Sequence, residues 1–316
     1  MNVSVIATVL NEEHTIADLL DSLLSQTKKP TEIIIVDGGS KDRTTEIVKE
    51  YKKQNPIIKL YEKRGSISYC RNFAVRKTKN RVIAQIDAGC VADKEWLKKI
   101  TKPFKNLEVG LVAGFYEMTG KTKFQQAIAP YHGVTKRRYD PRTFMPSGRS
   151  MAYLKSTWEK VGGYSYNVER AGEDTLFNYQ VLKLGIKIVR VPDAIVYWEL
   201  PRTFFESFKK LYRYAKGDGQ ALIWWHPAQR LSTHNIKIIS IFIRYIFFVG
   251  LAFFSLLTPL AICLLYFLIV FYAFWTIYKH QEDVRSFESK LWLPFIQISS
   301  DFAVMAGFAS GVFSRK

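Results

Sequence analysis

Cysteine is scarce in this chain. Its three copies, Cys70, Cys90 and Cys263, form neither an even disulfide set nor a zinc spacing, so a reducing compartment is the plain expectation. Acidic residues are also short, 28 against 46 basic, for a formal charge of +18. The basic residues form no run interleaved with stacking aromatics, so nucleic acid is not the expected partner. Phosphate-bearing substrates or an anionic membrane surface suit the charge better. His132, His226 and His234 lack metal-ligand spacing, and neither repeats nor low-complexity segments occur. The amino end lacks a basic n-region and a cleavage site. Only Val3 to Leu10 is apolar there, so the bulk of the protein is expected in the cytoplasm.

What is abundant is apolar sequence, unevenly spread. To about Asn235 polar and apolar residues mix as in a soluble domain. Val3–Val9 reads as a buried strand, followed by a helical stripe at Ile16, Leu19, Leu20, Leu23 and Leu24. Ile33–Val36 gives a second strand, with a helix from about Asp42 to Lys52. Ile57–Tyr61 gives a third, with a helix capped by Ser66, and Val82–Ile86 a fourth. This alternation predicts right-handed crossovers and a mainly parallel α/β sheet. From Trp96 to Trp198 the pattern is less regular, with strands expected near Val109–Phe115, Met151–Tyr153 and Ile188–Val191 and a helix after Glu173. Lys121–Pro146 reads as an irregular basic loop.

Beyond that point the character changes. Phe204–Tyr214 places Phe205, Phe208, Leu211 and Tyr212 on one face, as either a membrane-interface helix or a surface helix of the soluble domain would. Two apolar runs follow, Ile238–Leu257 and Leu260–Tyr278, each about the twenty residues a spanning helix needs. Thr258-Pro259 is the only break between them, which predicts a hairpin with Arg244 snorkelling near its start. Lys237 on one flank, with Lys279, Arg285 and Lys290 on the other, places both flanks in the cytoplasm by the positive-inside rule. Leu291–Phe313 is apolar but carries Pro294 and Asp301. Spanning, re-entry and packing on the hairpin all remain open for it.

Two acidic motifs close apolar strands: Val36-Asp37-Gly38-Gly39-Ser40-Lys41-Asp42-Arg43-Thr44 and Asp87-Ala88-Gly89-Cys90. Carboxyl ends of parallel strands are where open α/β sheets bind ligands. With Thr8-Val9-Leu10-Asn11-Glu12-Glu13, Arg71-Asn72 and Gly172-Glu173-Asp174, these motifs closely resemble family 2 glycosyltransferases, in the expected order over about Met1 to Trp225. Alone, Asp37 or Asp42 would read as a turn residue, and Glu173-Asp174 as charge at a helix start. The ordered set carries the resemblance.

The resemblance implies a GT-A fold, Rossmann-like with a mainly parallel sheet, followed by C-terminal transmembrane helices. It implies inverting transfer from a nucleotide-diphosphate sugar with a divalent cation, Mg²⁺ or Mn²⁺. Thr8, Asn11 and Glu13 match the loop that touches base and ribose, and Asp37 the carboxylate that bonds the base. Arg71 matches the arginine that approaches the nucleotide, and Asp87 the first aspartate of the metal motif. Asp174, beside Glu173, matches the general base. One position departs: Gly89 replaces the second metal-motif aspartate, so diphosphate and water would complete the shell. Asp93 is expected to cap the following helix or to lend an oxygen.

Pro146-Ser147-Gly148-Arg149-Ser150 resembles the region near acceptor and diphosphate, where Arg149 holds phosphate or is a surface arginine. Arg213-Tyr214-x-x-Gly217-x-Gly219 resembles membrane-attached, non-processive members, and the Gln-x-x-Arg-Trp motif of processive synthases is missing. The expected layout is a cytoplasmic catalytic domain at 1–203, an interfacial segment at 204–236, a transmembrane hairpin at 237–279 and a tail at 280–316. That describes a multi-pass cell-membrane enzyme acting on a lipid-linked polyprenyl-phosphate or polyprenyl-diphosphate acceptor. Its rivals are a polyprenyl-phosphate sugar synthase and a retired scaffold that only binds nucleotide sugar.

Overall fold

The structure is a computed structural model that describes residues 1–168 and 171–315. Its strands are β1 (Val3–Val9), β2 (Glu32–Asp37), β3 (Ile58–Glu62), β4 (Val82–Gln85), β5 (Cys90–Ala92), β6 (Val109–Thr119), β7 (Met151–Leu154) and β8 (Lys187–Glu199). Its α-helices begin with α1 (Ile16–Leu24), α2 (Thr44–Gln54), α3 (Ile67–Lys77), α4 (Trp96–Thr101), α5 (Lys123–His132) and α6 (Lys155–Val161). They continue with α7 (Glu173–Lys183), α8 (Phe204–Ala221), α9 (His234–Ser255), α10 (Pro259–His280), α11 (Phe287–Leu291) and α12 (Leu293–Phe313).

The chain divides into two compact units. The first, residues 1–117 with 140–199, holds nearly all of an eight-stranded sheet ordered β3-β2-β1-β4-β7-β6-β8-β5. Its first four strands are parallel, each joined to the next by a helix, and β-branched side chains fill β1, β2 and β4 on both faces. Beyond β4 the β4–β7, β7–β6 and β8–β5 pairs are antiparallel. The sheet is therefore mixed, parallel in the half the alternation made legible. The order runs outward from β1 to β3, then returns to place β4 on β1's other side. That reversal is the topological switch point, and the crevice for a ligand lies outside the carboxyl ends of β1 and β4.

The second unit, residues 118–139 with 200–315 among those described, is helical. The stretch read as an irregular loop contains α5. Thr122 and Gln125 form a reciprocal capping box at its start, a signal present in the sequence. Helix α8 opens on the same device, made by Thr203 and Glu206. Thr233 caps α9, and Thr258 caps α10 with Pro259 in its first turn. Helix α12 is continuous, because Pro294 falls in its first turn, where a missing N–H costs nothing. Helices α9, α10 and α12 are each long and apolar enough to cross a membrane. Arg244 of α9 is not left to snorkel alone. It donates to the buried Asp301 of α12 at 2.8 Å, and the Tyr245 and Tyr272 hydroxyls donate to the same carboxylate at 3.1 and 2.6 Å.

Candidate functional site

At the carboxyl ends of β1 and β2 the two loops are laced together. The Asp37 carboxylate, 2% exposed, accepts from the Gly39 amide and from the amide and hydroxyl of Ser40, which closes the Gly38-Gly39 turn. Gly39 takes φ +107°, which suits glycine. The Asn11 amide donates to Ser40 Oγ, and its side-chain oxygen accepts from the Lys41 amide at 2.8 Å. Glu13 accepts from the Arg43 amide and donates its own amide to Asp42. Desolvation of Asp42 is outweighed by hydrogen bonds from Thr44 and the Glu13 amide, which hold its carboxyl below the ordinary range. Thr8 pairs beside Val36 at the end of β1. Thr8, Asn11, Glu13 and Asp37 thus share one rim. The Cys70 thiol behind Gly38 is pushed up to about 11 by burial and then by Asp37, so it is no nucleophile at neutral pH.

A second group forms where α3, the β4 end, the Ser147–Ser150 turn and α7 converge. Arg71 is 2% exposed. One arm of its guanidinium bonds Glu173, the other bonds Asp87 Oδ1 at 2.5 Å, and the plane lies 5.6 Å from the Tyr164 ring centre. Burial opposes the charge on Arg71, but Glu173 and Asp87 raise its pKa and hold it protonated. Burial raises the Glu173 carboxyl above the usual carboxylate range against the pull of Arg71. Glu173 Oε2 and Arg71 Nε have no hydrogen-bond partner among the described residues. Gly172, at φ +90°, turns the chain into α7, so both carboxylates enter the first helical turn, where the helix dipole favours them. Asp174 Oδ2 accepts the Gly148 amide at 3.0 Å, and its Oδ1 accepts the Thr175 amide. Gly148 is packed so tightly that a Cβ there would overlap Arg71 and lie 2.9 Å from Asp87 Oδ1. Asp87, Arg71, Glu173 and Asp174 therefore meet around one glycine.

Gly89 has φ +76°, and a Cβ on it would point to Glu12 Oε2 at 3.8 Å. An aspartate there would suffer both backbone strain and a facing carboxylate. No group of three His, Cys, Asp or Glu able to hold a metal exists among the described residues. A cation at Asp87 thus needs oxygens from its ligand. Asp93 Oδ1 accepts the Glu95 amide in the turn ahead of α4, whose N-cap is Glu95 and not Asp93. The Arg149 guanidinium lies 4.0 Å from the Trp198 ring centre and 4.9 Å from that of Tyr116, with Nη1 on Ser147 Oγ. It is clamped between strands β6 and β8 and is not a loose surface arginine. Arg213 is exposed on α8, in the second unit. Gly148 and Glu12 lie in segments the resemblance singled out, but their approach to Arg71, Asp87 and Gly89, and the Trp198–Tyr116 clamp, come only from the fold.

A model of glycosyl transferase family 2 matches residues 4–162, and one of glycosyl transferase family group 2 matches residues 104–278. Glycosyltransferase AglE of Haloferax volcanii is 27% identical over 257 residues, a match covering 76% of this chain and 79% of that protein. A poly-β-1,6-N-acetyl-D-glucosamine synthase of Staphylococcus epidermidis is 26% identical over 253 residues, covering 76% of this chain and 59% of the synthase. Among solved structures, the mannosyltransferase PcManGT from Pyrobaculum calidifontis, in complex with GDP-Man and Mn²⁺, superposes with a TM-score of 0.61 at 17% identity. That match covers 100% of this chain and 88% of the other, and it shows a shared fold.

Proposed function

Because this chain belongs to glycosyltransferase family 2, we propose that it moves one sugar per event, with inversion, from a nucleotide-diphosphate sugar to a lipid-linked acceptor. Glycosyl transfer from a nucleotide sugar follows from the family. The acceptor, the stereochemistry and the roles of single residues are our reading. One observation carries it: a donor-side carboxylate, Asp87, and a second carboxylate, Asp174, approach the same glycine from two elements.

In this reading Thr8, Asn11, Glu13 and Asp37 form the rim for base and ribose, where backbone amides can pair with heterocycle acceptors and fixed carboxylates with heterocycle donors. Arg71 acts from behind, as a buried cation that orients Asp87. PcManGT was solved with GDP-Man and Mn²⁺, which supports a divalent cation held by Asp87, the donor diphosphate and water. Such a cation would neutralise charge on the departing nucleotide. Asp174 takes the acceptor hydroxyl proton on the face opposite the leaving group. The Gly148 and Thr175 amides each hold one of its oxygens, which fixes the carboxylate in place. Arg149, stiffened by its aromatic clamp, is our candidate cation for acceptor phosphate, and Arg213 of α8 is a separate candidate.

The apolar helices α9 and α10 support a membrane anchor with both flanks, and the catalytic unit, in the cytoplasm. A lipid-linked acceptor confined to that surface meets an anchored enzyme at raised effective concentration. The test is to incubate membranes enriched in the full chain with radiolabelled nucleotide sugars and lipid extract of the native host. We expect label to enter the organic-extractable fraction. Label found only in water-soluble polymer would reject the lipid acceptor.

A further inference from the structure

Helix α12 has the length and apolar character of a third membrane crossing, yet its contacts run across the hairpin and not along it. Helices α9 and α10 are joined by three residues, so the first turns of α9 and the last turns of α10 share the hairpin's open end. Both ends of α12 lie toward that end. At its start the Trp292 ring sits 5.6 Å from Phe124 of α5, and Tyr131 of α5 sits 4.7 Å from His280, the last residue of α10. Toward its other end Phe308 packs with Ile238 and Phe242, in the first three turns of α9. Between them, Asp301 receives Arg244 and Tyr272, about 12 to 15 Å in from the open end at 1.5 Å per residue. A helix crossing alongside the hairpin would carry one end to its tip. There Leu256, Leu257 and Leu260 are 75–80% exposed.

The other side of α12 is taken by α8. Gly219, Gly307 and Gly311 bring the two backbones together, with no room for a Cβ at any of the three. The pairs Phe204–Phe295, Tyr212–Gly307 and Lys216–Gly311 advance in the same direction, so the helices run parallel. Helix α8 carries Lys209, Lys210, Arg213 and Lys216 and cannot follow α12 through hydrocarbon. Accordingly 44% of the apolar window of α12 is buried within the protein, against 6% for α9 and 11% for α10. What remains exposed along α12 is a helical stripe of Phe295, Ile298 and Phe302, continued by Leu291 just before it, with Val312 and Phe313 exposed at its far end.

We infer that α12 does not cross the membrane. It lies in the leaflet at the open end of the hairpin, clipped by Arg244–Asp301 and backed by α8. Its Phe295–Ile298–Phe302 stripe faces that leaflet's acyl chains, continuous with the apolar surface of α9 and α10. Arg315 then stands on the same side as Gln281. This rests on our reading of α9 and α10 as a membrane hairpin, which the same experiment checks separately.

The experiment is cysteine labelling of the full chain with a membrane-impermeant maleimide, in right-side-out and inside-out vesicles. Cys263→Ser removes the exposed native thiol, since Cys70 and Cys90 are buried. Gln281→Cys marks the hairpin flank, Leu257→Cys its tip, and Arg315→Cys the far end of α12. All three positions are exposed, so folding is not at stake. We expect Arg315→Cys to label in the vesicles that label Gln281→Cys and to be protected in the others. Labelling of Arg315→Cys from the face opposite Gln281→Cys would overturn the inference. Leu257→Cys labelling from the Gln281 face would instead reject the hairpin reading, leaving the Arg315 comparison still decisive for α12.

Discussion

Asp174 and Gly148 are joined by a single hydrogen bond, carboxylate Oδ2 to amide, of 3.0 Å. The bond ties the first turn of α7 to the turn before β7. On the inner side of that turn stand Arg71 and Asp87. The acidic end of a helix and the acidic end of a parallel strand are thereby held at one fixed separation by a residue with no side chain.

Gly148→Ala tests whether that close packing matters. The added methyl would overlap Arg71 and press on Asp87. Overpacking of this kind costs about 1–3 kcal/mol. We expect a folded enzyme, slightly less stable, whose kcat/KM falls about tenfold or more, since 1.4 kcal/mol is a factor of ten. A variant with unchanged kinetics would show that Arg71 and Asp87 have slack.

Asp174→Asn keeps the shape and removes the basic oxygen. Transfer should fall by about 10² to 10⁴, the usual worth of a general base. Donor affinity, measured by calorimetry, should stay within a few-fold. Wild-type turnover would reject the assignment and favour a lipid phosphate that attacks without a base.

Glu32 supplies a pH test away from the site. It accepts from Ser4 Oγ and the Lys79 amide, both at 2.7 Å, and pairs with Lys59. Desolvation is outweighed by these partners, and its carboxyl lies below the ordinary 4.5. A depressed carboxylate stabilises the fold above its unfolded pKa, and that contribution is lost as pH falls through the folded value. Glu32→Gln should therefore cost about 1–3 kcal/mol at pH 7. Melting curves in detergent should show the gap closing below about pH 4.5. A constant gap would contradict this account.

Arg244 and Asp301 should behave as one unit. Asp301→Leu strands a partly buried guanidinium, and Arg244→Leu leaves a carboxylate that is 2% exposed with only the neutral donors Tyr245, Tyr272 and Gln297. Each single change should cost about 3–5 kcal/mol, while the double leucine variant should recover most of the loss. Heat inactivation in detergent measures all three. Additive losses would show that the two charges do not depend on each other.

How much of this was legible depended on the range of the cause. Asp37 and Asp87 were readable because a short apolar run before each carboxylate announces a buried strand end. The hairpin was readable because each helix carries its own apolar length, and Thr258-Pro259 its own cap. The antiparallel half of the sheet was not, because strands as short as Met151–Leu154 take direction from partners distant in sequence. Helix α5 was overlooked through its basic residues, although Thr122 and Gln125 spelled a capping box. Arg244 was read alone, since nothing local reveals a partner 57 positions on at Asp301. Gly148 sat in a segment the resemblance singled out, but its own meaning comes from Arg71 and Asp87, both far away along the chain.

The most direct test of the central claim is the anomeric configuration of the first product. Purified full chain in lipid nanodiscs would receive a nucleotide sugar of known anomer, Mn²⁺ and a polyprenyl-diphosphate-linked acceptor. The product glycolipid would then be read by NMR. The account predicts one added sugar per acceptor, with configuration opposite to that of the donor and no product from Asp174→Asn. Retained configuration, or transfer undiminished in Asp174→Asn, would contradict it.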